Sequence, residues 1–533
     1  MVLNSILDMT KGLREAFLIP CSLILIFICI FLFYKNRKDF IIPFKSIKKK
    51  TWIILGFIIL LSIGIRLYFP IGHRMYFDEF DYMANAKQIL NLEWGFTELY
   101  QKEPILVPII YSFSFLVFGI SNQTAIYTSL AFGVLSVFLL FLFVYYLTKN
   151  EKIALVSSFF LSILAEHVMW CTSAERNVIS LFFLLLSLLL SFMFVERKKS
   201  VLLILTICSM SLASLTRTEN HVSFFLLIPL FLIYAIKPKK YLTKKNIAII
   251  LLIAILMTPN FINQLELFFT HSWSNKESKG EFEDNFSLGN LMHNSKIDLK
   301  AIFFPDGMNI LVNVLLIILL VLGAFLFFFL KPKEFVYILI FLIIFYLAYF
   351  LAWPTVQARS RFYLTFYLMF IVFLSFGIFS IYKLRFPINL NMCIALVLIL
   401  AFVYAPYLAL KYQEHRNSYF VYQTASVIDL IKTAPKDCTI VAFSKNFIQS
   451  TSDLEVLSYA GFVMLNSMKE IDFSESCFIL YCGIYCKQKV LTQSNAYVIM
   501  QDYNLLPIKD YSIYVSIYKI LNKRTSYNPL AFR

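Results

Sequence analysis

The sequence predicts an all-α polytopic membrane domain of about twelve transmembrane helices, followed by a small C-terminal α/β domain. Three observations carry this. Hydrophobic residues fill 59% of the 533 positions against 15% charged, and mean hydropathy is +0.74. Apolar runs of about 15 to 24 residues, long enough for the hydrocarbon core of a bilayer, recur through most of the chain. Near Arg416 the composition changes to short helix-like and strand-like segments. Runs such as 17–33, 52–68, 124–147 and 311–330 must be helical, because lipid offers an open backbone no hydrogen-bond partners.

The span centres fall near Leu25, Leu60, Leu135, Leu161, Leu185, Thr206, Leu227, Ala254, Leu320, Ile344, Phe370 and Leu398. Mixed residues without a small-residue cleavage site precede the first run, so the first span itself is expected to direct insertion. Basic residues set the orientation. Lys35, Arg37, Lys38, Lys45 and Lys48 to Lys50 crowd one loop, and Arg197 to Lys199, Lys237 to Lys245, Lys149 with Lys152, Lys331 with Lys333, and Lys383 with Arg385 share its side. That side is cytoplasmic. The long, acid-containing loops 70–122 and 260–308, the N-terminus and the chain after Lys411 then face outward. Residues 1–51 form an extra N-terminal span with its basic loop, 52–410 the main membrane domain, and 411–533 the extracytoplasmic α/β domain.

The net charge of +16 is accounted for by these orientation loops, so nucleic acid is not an expected partner. Two spans, around Thr206 and Leu227, are short and meet at Thr216-Arg217-Thr218-Glu219-Asn220-His221, as helices tilted around a wet cavity would. Residues 104–119 are apolar but short and begin with proline, which suits a helix lying at the outer interface.

Cys21, Cys29, Cys208 and Cys393 lie in apolar runs and Cys171 at an outer helix end. The outward domain holds Cys438, Cys477, Cys482 and Cys486, where disulfides persist; of three pairings, Cys438–Cys477 with Cys482–Cys486 is favoured over a zinc site, for which no regular CxxC pair speaks. The six histidines show no ligand spacing, so no metal and no cofactor is expected.

Chemistry concentrates at outward helix ends. Asp78, Glu79 and Asp81 follow the second span directly, and acids at a membrane boundary are costly unless solvated or used. Helical spacing places Asp78, Asp81 and Tyr82 on one face with Glu79 about 100° away. Capping of the helix N-terminus explains Asp78 equally well, but not Glu79. Lys102, Glu175 with Arg176, Arg217 with Glu219, and Arg359 with Arg361 stand at other outward ends. Each arginine alone suits headgroup anchoring; together with the acids they suit a phosphate leaving group.

In order and spacing, residues 52–410 resemble the GT-C fold glycosyltransferases that use polyprenyl-phosphate sugars. The resemblance is to glycosyltransferase family 39, which includes protein O-mannosyltransferases, and to the related lipid A aminoarabinose transferases. Asp78-Glu79 stands at the outward acidic motif, Lys102-Glu103-Pro104-Ile105 at a Lys-Pro-Pro-Leu-like segment, and Phe118-Gly119 at the helix end that closes it. Leu215-Thr216-Arg217 and Arg359-Ser-Arg361-Phe-Tyr363 resemble later basic motifs. The chain departs from the pattern in its extra N-terminal span, in Glu103 for proline, and in Glu175-Arg176 about where relatives carry an Asp.

The resemblance implies metal-independent, inverting transfer from a polyprenyl-phosphate sugar to a protein or glycolipid acceptor on the outer face of the cell membrane. Asp78 is then the candidate base and Glu79 its support. Lys102, Arg217 and Arg361 are candidates to hold the lipid phosphate, with Arg359, Glu175 and Tyr82 as further substrate contacts. The rivals are a transporter or flippase, which would predict repeat symmetry and charges near the bilayer midplane, and a glycan polymerase or ligase, which would not require Asp78-Glu79.

Overall fold

The structure, a computed structural model, describes residues 2–41, 44–68, 77–92, 104–237, 241–274, 310–352 and 364–383, and five strands between 439 and 523. Helices α1 (Val2–Lys35), α2 (Arg37–Ile41), α3 (Lys49–Tyr68), α4 (Phe77–Leu90) and α5 (Leu106–Phe118) lead into α6 (Asn122–Thr148). Next come α7 (Glu151–Ile163), α8 (Ala165–Cys171), α9 (Arg176–Arg197) and α10 (Ser200–Ser214), then a 3-10 helix (Thr218–Leu226) and α11 (Leu227–Ile233). The helical part closes with α12 (Lys244–Ser274), α13 (Ile310–Leu330), α14 (Pro332–Ala352) and α15 (Leu364–Lys383).

Among the described residues six helices are long and apolar enough to cross a membrane: Phe17–Lys35, Lys49–Tyr68, Asn122–Thr148, Arg176–Arg197, Lys244–Asn263 and Asn313–Leu330. Helices α7 and α8 pass the same test as one span bent by 60°. The expected centres from Leu25 to Phe370 each fall in a helix, and Leu398 lies outside the described residues. The span expected around Leu227 is built differently: nine residues of 3-10 helix precede only seven of α-helix. A 3-10 run that long is uncommon and holds its backbone in a tighter, poorer hydrogen-bond geometry. The outward loop expected from 260 also begins later, because α12 continues through Pro259 to Ser274.

Helices α6 and α9 are the buried centre, while α1, α3, α12 and α13 show most of their surface. Exposed Phe27, Phe57 and Leu60 are the apolar surplus that a lipid-facing helix carries. Close packing comes from small residues. A Cβ added at Gly323 would overlap the Phe373 carbonyl oxygen, and one added at Gly377 the Leu319 carbonyl oxygen, so α13 and α15 cross backbone to backbone.

The basic turns gather at one end of the bundle. Lys149 and Lys198 end α6 and α9 in the left-handed conformation, at φ 55° and 56°. Asn150 caps α7 by accepting from the backbone of Lys152 and Ile153. Glu151 takes the Thr51 hydroxyl and the Lys48 N–H, Lys149 pairs with Glu196 at 2.9 Å, and Lys199 pairs with Asp39 at 2.5 Å. Arg66, Ser121, Arg176 and Arg217 stand at the opposite end.

Strands β1 (Thr439–Ala442), β2 (Val456–Ser458), β3 (Phe478–Cys482), β4 (Tyr503–Ser512) and β5 (Val515–Lys523) form one sheet in the order β2-β1-β3-β5-β4. β1 pairs parallel with β2 and β3, and β5 antiparallel with β3 and β4. The alternating residues 511–520 span the β4–β5 turn, where Ser512 pairs with Val515. The side chains of Cys438, Cys477, Cys482 and Cys486, and with them the expected disulfides, lie outside the described residues.

Candidate active site

Helix α4 turns Glu79, Tyr82, Met83 and Ala86 inward, a spacing of three, four and seven that makes one helical face. Glu79 and Tyr82 are both 0% exposed, so the acid next to Asp78 joins the buried face with Tyr82. Asp78 is the second residue of α4, and its side chain lies outside the described residues, as do Lys102, Arg359 and Arg361.

Helix α5 lies alongside α4 and buries Leu106, Val107, Ile109, Tyr111 and Phe115. Its other side exposes Phe113, Leu116, Val117 and Phe118, the two-faced pattern of an interfacial helix. It ends on Gly119 at φ +85°, a backbone angle that side chains resist. The Tyr111 hydroxyl meets Ser129 of α6 at 2.7 Å. Burial raises the Tyr111 pKa well above the phenol range, the Ser129 bond opposes the rise, and the charges of Glu79 and Glu175 add to it. The charges of two acids from separate helices are thus felt at the same phenol, which keeps its proton.

Glu175 begins α9 as its N-cap residue and is 0% exposed. Its Oε2 accepts from Asn177 Nδ2 at 3.1 Å, and Asn177 Oδ1 accepts from the Arg217 guanidinium. Arg217 also donates to Glu219 in a two-pronged bond, Nε to Oε2 at 3.3 Å and Nη2 to Oε1 at 3.0 Å. Both side chains are almost wholly buried, at 3% and 8% exposure. Burial pushes the Glu219 pKa up, but Arg217 and then Arg176 overcome it and hold it at about 2. Arg176 also stands over the Tyr82 ring, 5.8 Å from its centre. That contact links α4 to α9.

The corner is closed from below by Asn220, whose Nδ2 donates to Ser180 Oγ at 2.7 Å and to the Ala213 carbonyl at 2.8 Å. It is closed from the side by the Leu106 N–H, which donates to the Leu215 carbonyl at 3.0 Å. Of the residues expected from sequence, Glu79, Tyr82, Glu175 and Arg217 thus occupy one connected region. Arg176, Asn177, Tyr111 and Glu219 belong to it as well. Arg176 and Glu219 are visible in the sequence as charges at helix ends, whereas Tyr111 and Asn177 carry no distinguishing sequence signal.

Residues 102–262 match the family described as dolichyl-phosphate-mannose-protein mannosyltransferase. The matched stretch includes Glu175 and Arg217 and begins downstream of Asp78 and Glu79. No curated protein matches the chain in sequence. Solved structures do match in fold, among them the following two. ArnT from Cupriavidus metallidurans, bound to undecaprenyl phosphate, superposes with a TM-score of 0.58 at 9% identity, over 89% of this chain and 98% of ArnT. The oligosaccharyltransferase of Archaeoglobus fulgidus, tethered to an acceptor peptide containing the NVT sequon, superposes with a TM-score of 0.52 at 11% identity, over 91% of this chain and 75% of its own.

The chain has the GT-C fold.

The fold match agrees with the resemblance carried by Asp78-Glu79, Leu215-Thr216-Arg217 and their spacing. Helices α4 and α5 follow α3 in the chain, and the acid-and-arginine corner lies where they approach α9 and the end of α10. A chain with this fold and these apolar helices is a multi-pass membrane protein.

Proposed function

We propose that the chain is a membrane glycosyltransferase, moving a sugar from a polyprenyl phosphate (dolichyl or undecaprenyl) to an acceptor hydroxyl at the outer membrane face. One observation carries the reading. Glu79, Glu175, Arg176 and Arg217 come from three separate stretches of sequence and meet at the end of the bundle opposite the basic turns. Acids beside a buried guanidinium, Arg217, and a half-buried one, Arg176, suit the departure of a phosphate from a sugar. The family match and the undecaprenyl phosphate in the ArnT structure support a lipid-linked donor. The acceptor peptide in the oligosaccharyltransferase structure and the ArnT likeness leave protein and glycolipid as acceptor classes.

In the reaction the acceptor oxygen attacks the anomeric carbon on the face opposite the phosphate. The bond from that carbon to the phosphate oxygen breaks, polyprenyl phosphate leaves with the electron pair, and the anomeric configuration inverts. Asp78 takes the acceptor proton, with Glu79 supporting it or contacting the sugar; general-base help of this kind supplies about 10² to 10⁴-fold. Arg217 and Arg176 meet the growing phosphate charge, joined by Lys102, Arg361 and Arg359. Glu219 and Asn177 hold the Arg217 guanidinium in place beforehand, so little reorganisation is needed as charge develops. Glu175 fixes Asn177, and Tyr82 lies beneath Arg176.

The test is purified protein in detergent given radiolabelled polyprenyl-phosphate sugars, with and without a membrane extract as acceptor source. Transfer, or slow hydrolysis without acceptor, is the expected result. Protein that does neither, but moves the labelled lipid across a proteoliposome bilayer, is a flippase.

A further inference from the structure

Arg66 is a fully buried arginine in the last turn of α3, and nothing in the proposed reaction uses it. Its Nη1 donates to the Ser62 carbonyl at 2.8 Å, the Ser62 hydroxyl at 2.6 Å and the Ser162 carbonyl at 3.0 Å. Its Nη2 meets His167 Nδ1 at 2.6 Å. No carboxylate pairs with Arg66 among the described residues.

The Ser162 carbonyl explains the arrangement. Helix α7 stops at Ile163, Leu164 is extended at φ −60° and ψ 119°, and α8 leaves at 60° to it. The last carbonyls of a stopped helix lose their acceptor role in the ladder, and at membrane depth no water replaces it. Here the orphan carbonyl of Ser162 is taken by the Arg66 guanidinium, which also holds the His167 ring. The break in the span is therefore held open by a side chain from α3.

Beyond the break the chain runs directly to the site. The buried Cys171 ends α8, with its Sγ 3.8 Å from His167 Nδ1, and packs against Gly133 of α6. Thr172 and Ser173 turn the chain through hydroxyl bonds to the Met169 and Trp170 carbonyls, at 2.9 Å and 3.1 Å. Glu175 then stands at the N-cap position of α9, and Arg176 opens the helix. Each step is short and buried, so the direction of α8 sets where Glu175 and Arg176 stand.

We propose that Arg66 is a positioning residue for the Glu175–Arg176 corner, acting by capping the broken end of α7 and holding the His167 ring. This rests on the proposed transfer reaction only for its functional consequence. The geometry of the break has a readout of its own, because Cys171 is the sole cysteine of the tryptic peptide 153–176.

The experiment uses the full chain purified in detergent, with Arg66→Met and Arg66→Lys beside the wild type. N-ethylmaleimide modification of Cys171 is followed by mass spectrometry, and the KM for polyprenyl-phosphate sugar and kcat are measured in parallel. With Arg66→Met, modification is expected to quicken by about tenfold or more as the break loosens. Donor KM is expected to rise by about tenfold with a smaller change in kcat, because Arg176 meets the phosphate already in the bound donor. Arg66→Lys, which can still cap the Ser162 carbonyl, should recover much of both. Unchanged protection of Cys171 in Arg66→Met overturns the proposal, as does faster modification with an unaltered donor KM. Should Arg66→Met fail to accumulate in membranes, His167→Ala removes one partner only and is read by the same criteria. A wild type that transfers no sugar sinks the enzyme reading, and this role with it, whereas an active wild type with an indifferent Arg66→Met sinks this role alone.

Discussion

The backbone N–H of Leu106 donates to the carbonyl of Leu215 across 3.0 Å, tying the head of the interfacial helix to the turn that carries Arg217. Leu106 directly follows the segment Lys102 to Ile105, and Leu215 opens the motif Leu215 to Arg217.

Arg217→Ala is expected to lower both activity and stability. It strips a nearly buried carboxylate, Glu219, of its bidentate partner, and breaking a buried pair from one side costs about 3–5 kcal/mol. Thermal unfolding in detergent should show the loss, and Arg217→Ala with Glu219→Ala should recover part of it. The pair also predicts an acid limit. Because Glu219 is held at about 2 rather than its usual 4.5, its contribution is complete above pH 4.5 and fades as pH falls toward 2. Unfolding temperatures of Glu219→Gln and wild type should therefore converge in acid, and a constant gap between them would remove Glu219 from this role.

Asp78→Asn is expected to lower single-turnover transfer by about 10² to 10⁴-fold, the usual worth of a general base. Glu79→Gln keeps the shape of a buried side chain beside Tyr111 and should cost less. Near wild-type transfer by a correctly inserted Asp78→Asn protein would hand the base role to another group. A larger loss from Glu79→Gln than from Asp78→Asn would name Glu79.

The orientation can be read from two single-cysteine positions. Ser121 and Lys149 flank α6, at the site end and the basic end of the bundle respectively. A membrane-impermeant maleimide applied to whole cells should label Ser121→Cys and spare Lys149→Cys until the membrane is opened. The reverse pattern would put the acid-and-arginine corner on the cytoplasmic side.

Much of this architecture is legible in the chain because a bilayer imposes simple rules. Apolar length marks the spans, and Lys and Arg mark the turns that cluster around Lys149 and Lys198. The interfacial character of 104–119 is readable from its length and its proline. Other features carry no local signal. The 3-10 helix at Thr218–Leu226 has the same hydropathy as an α-helix would, and α12 continues through Pro259 because a proline kinks a membrane helix more often than it ends one. Arg66 stands in plain view at the end of an apolar run. Its meaning does not, because Ser162 and His167 lie about a hundred positions away and only the fold brings them together.

Gly133→Ala tests the packing that presses α8 onto α6. A methyl group at 133 would overlap Cys171 Sγ and crowd Val178 Cγ1, so α8 or α9 must shift. Overpacking of this kind costs about 1–3 kcal/mol. Cys171→Ala replaces the thiol by hydrogen and removes the overlapping Sγ, and Gly133→Ala with Cys171→Ala should therefore be more stable than Gly133→Ala alone. The two changes would then be non-additive, as expected of residues in contact. Because Cys171 lies on the path from Arg66 to Glu175, the single Gly133→Ala variant should also raise the donor KM. Additive effects on stability would mean that α8 does not rest on Gly133, and the chain from the helix break to the Glu175–Arg176 corner would lose its middle link.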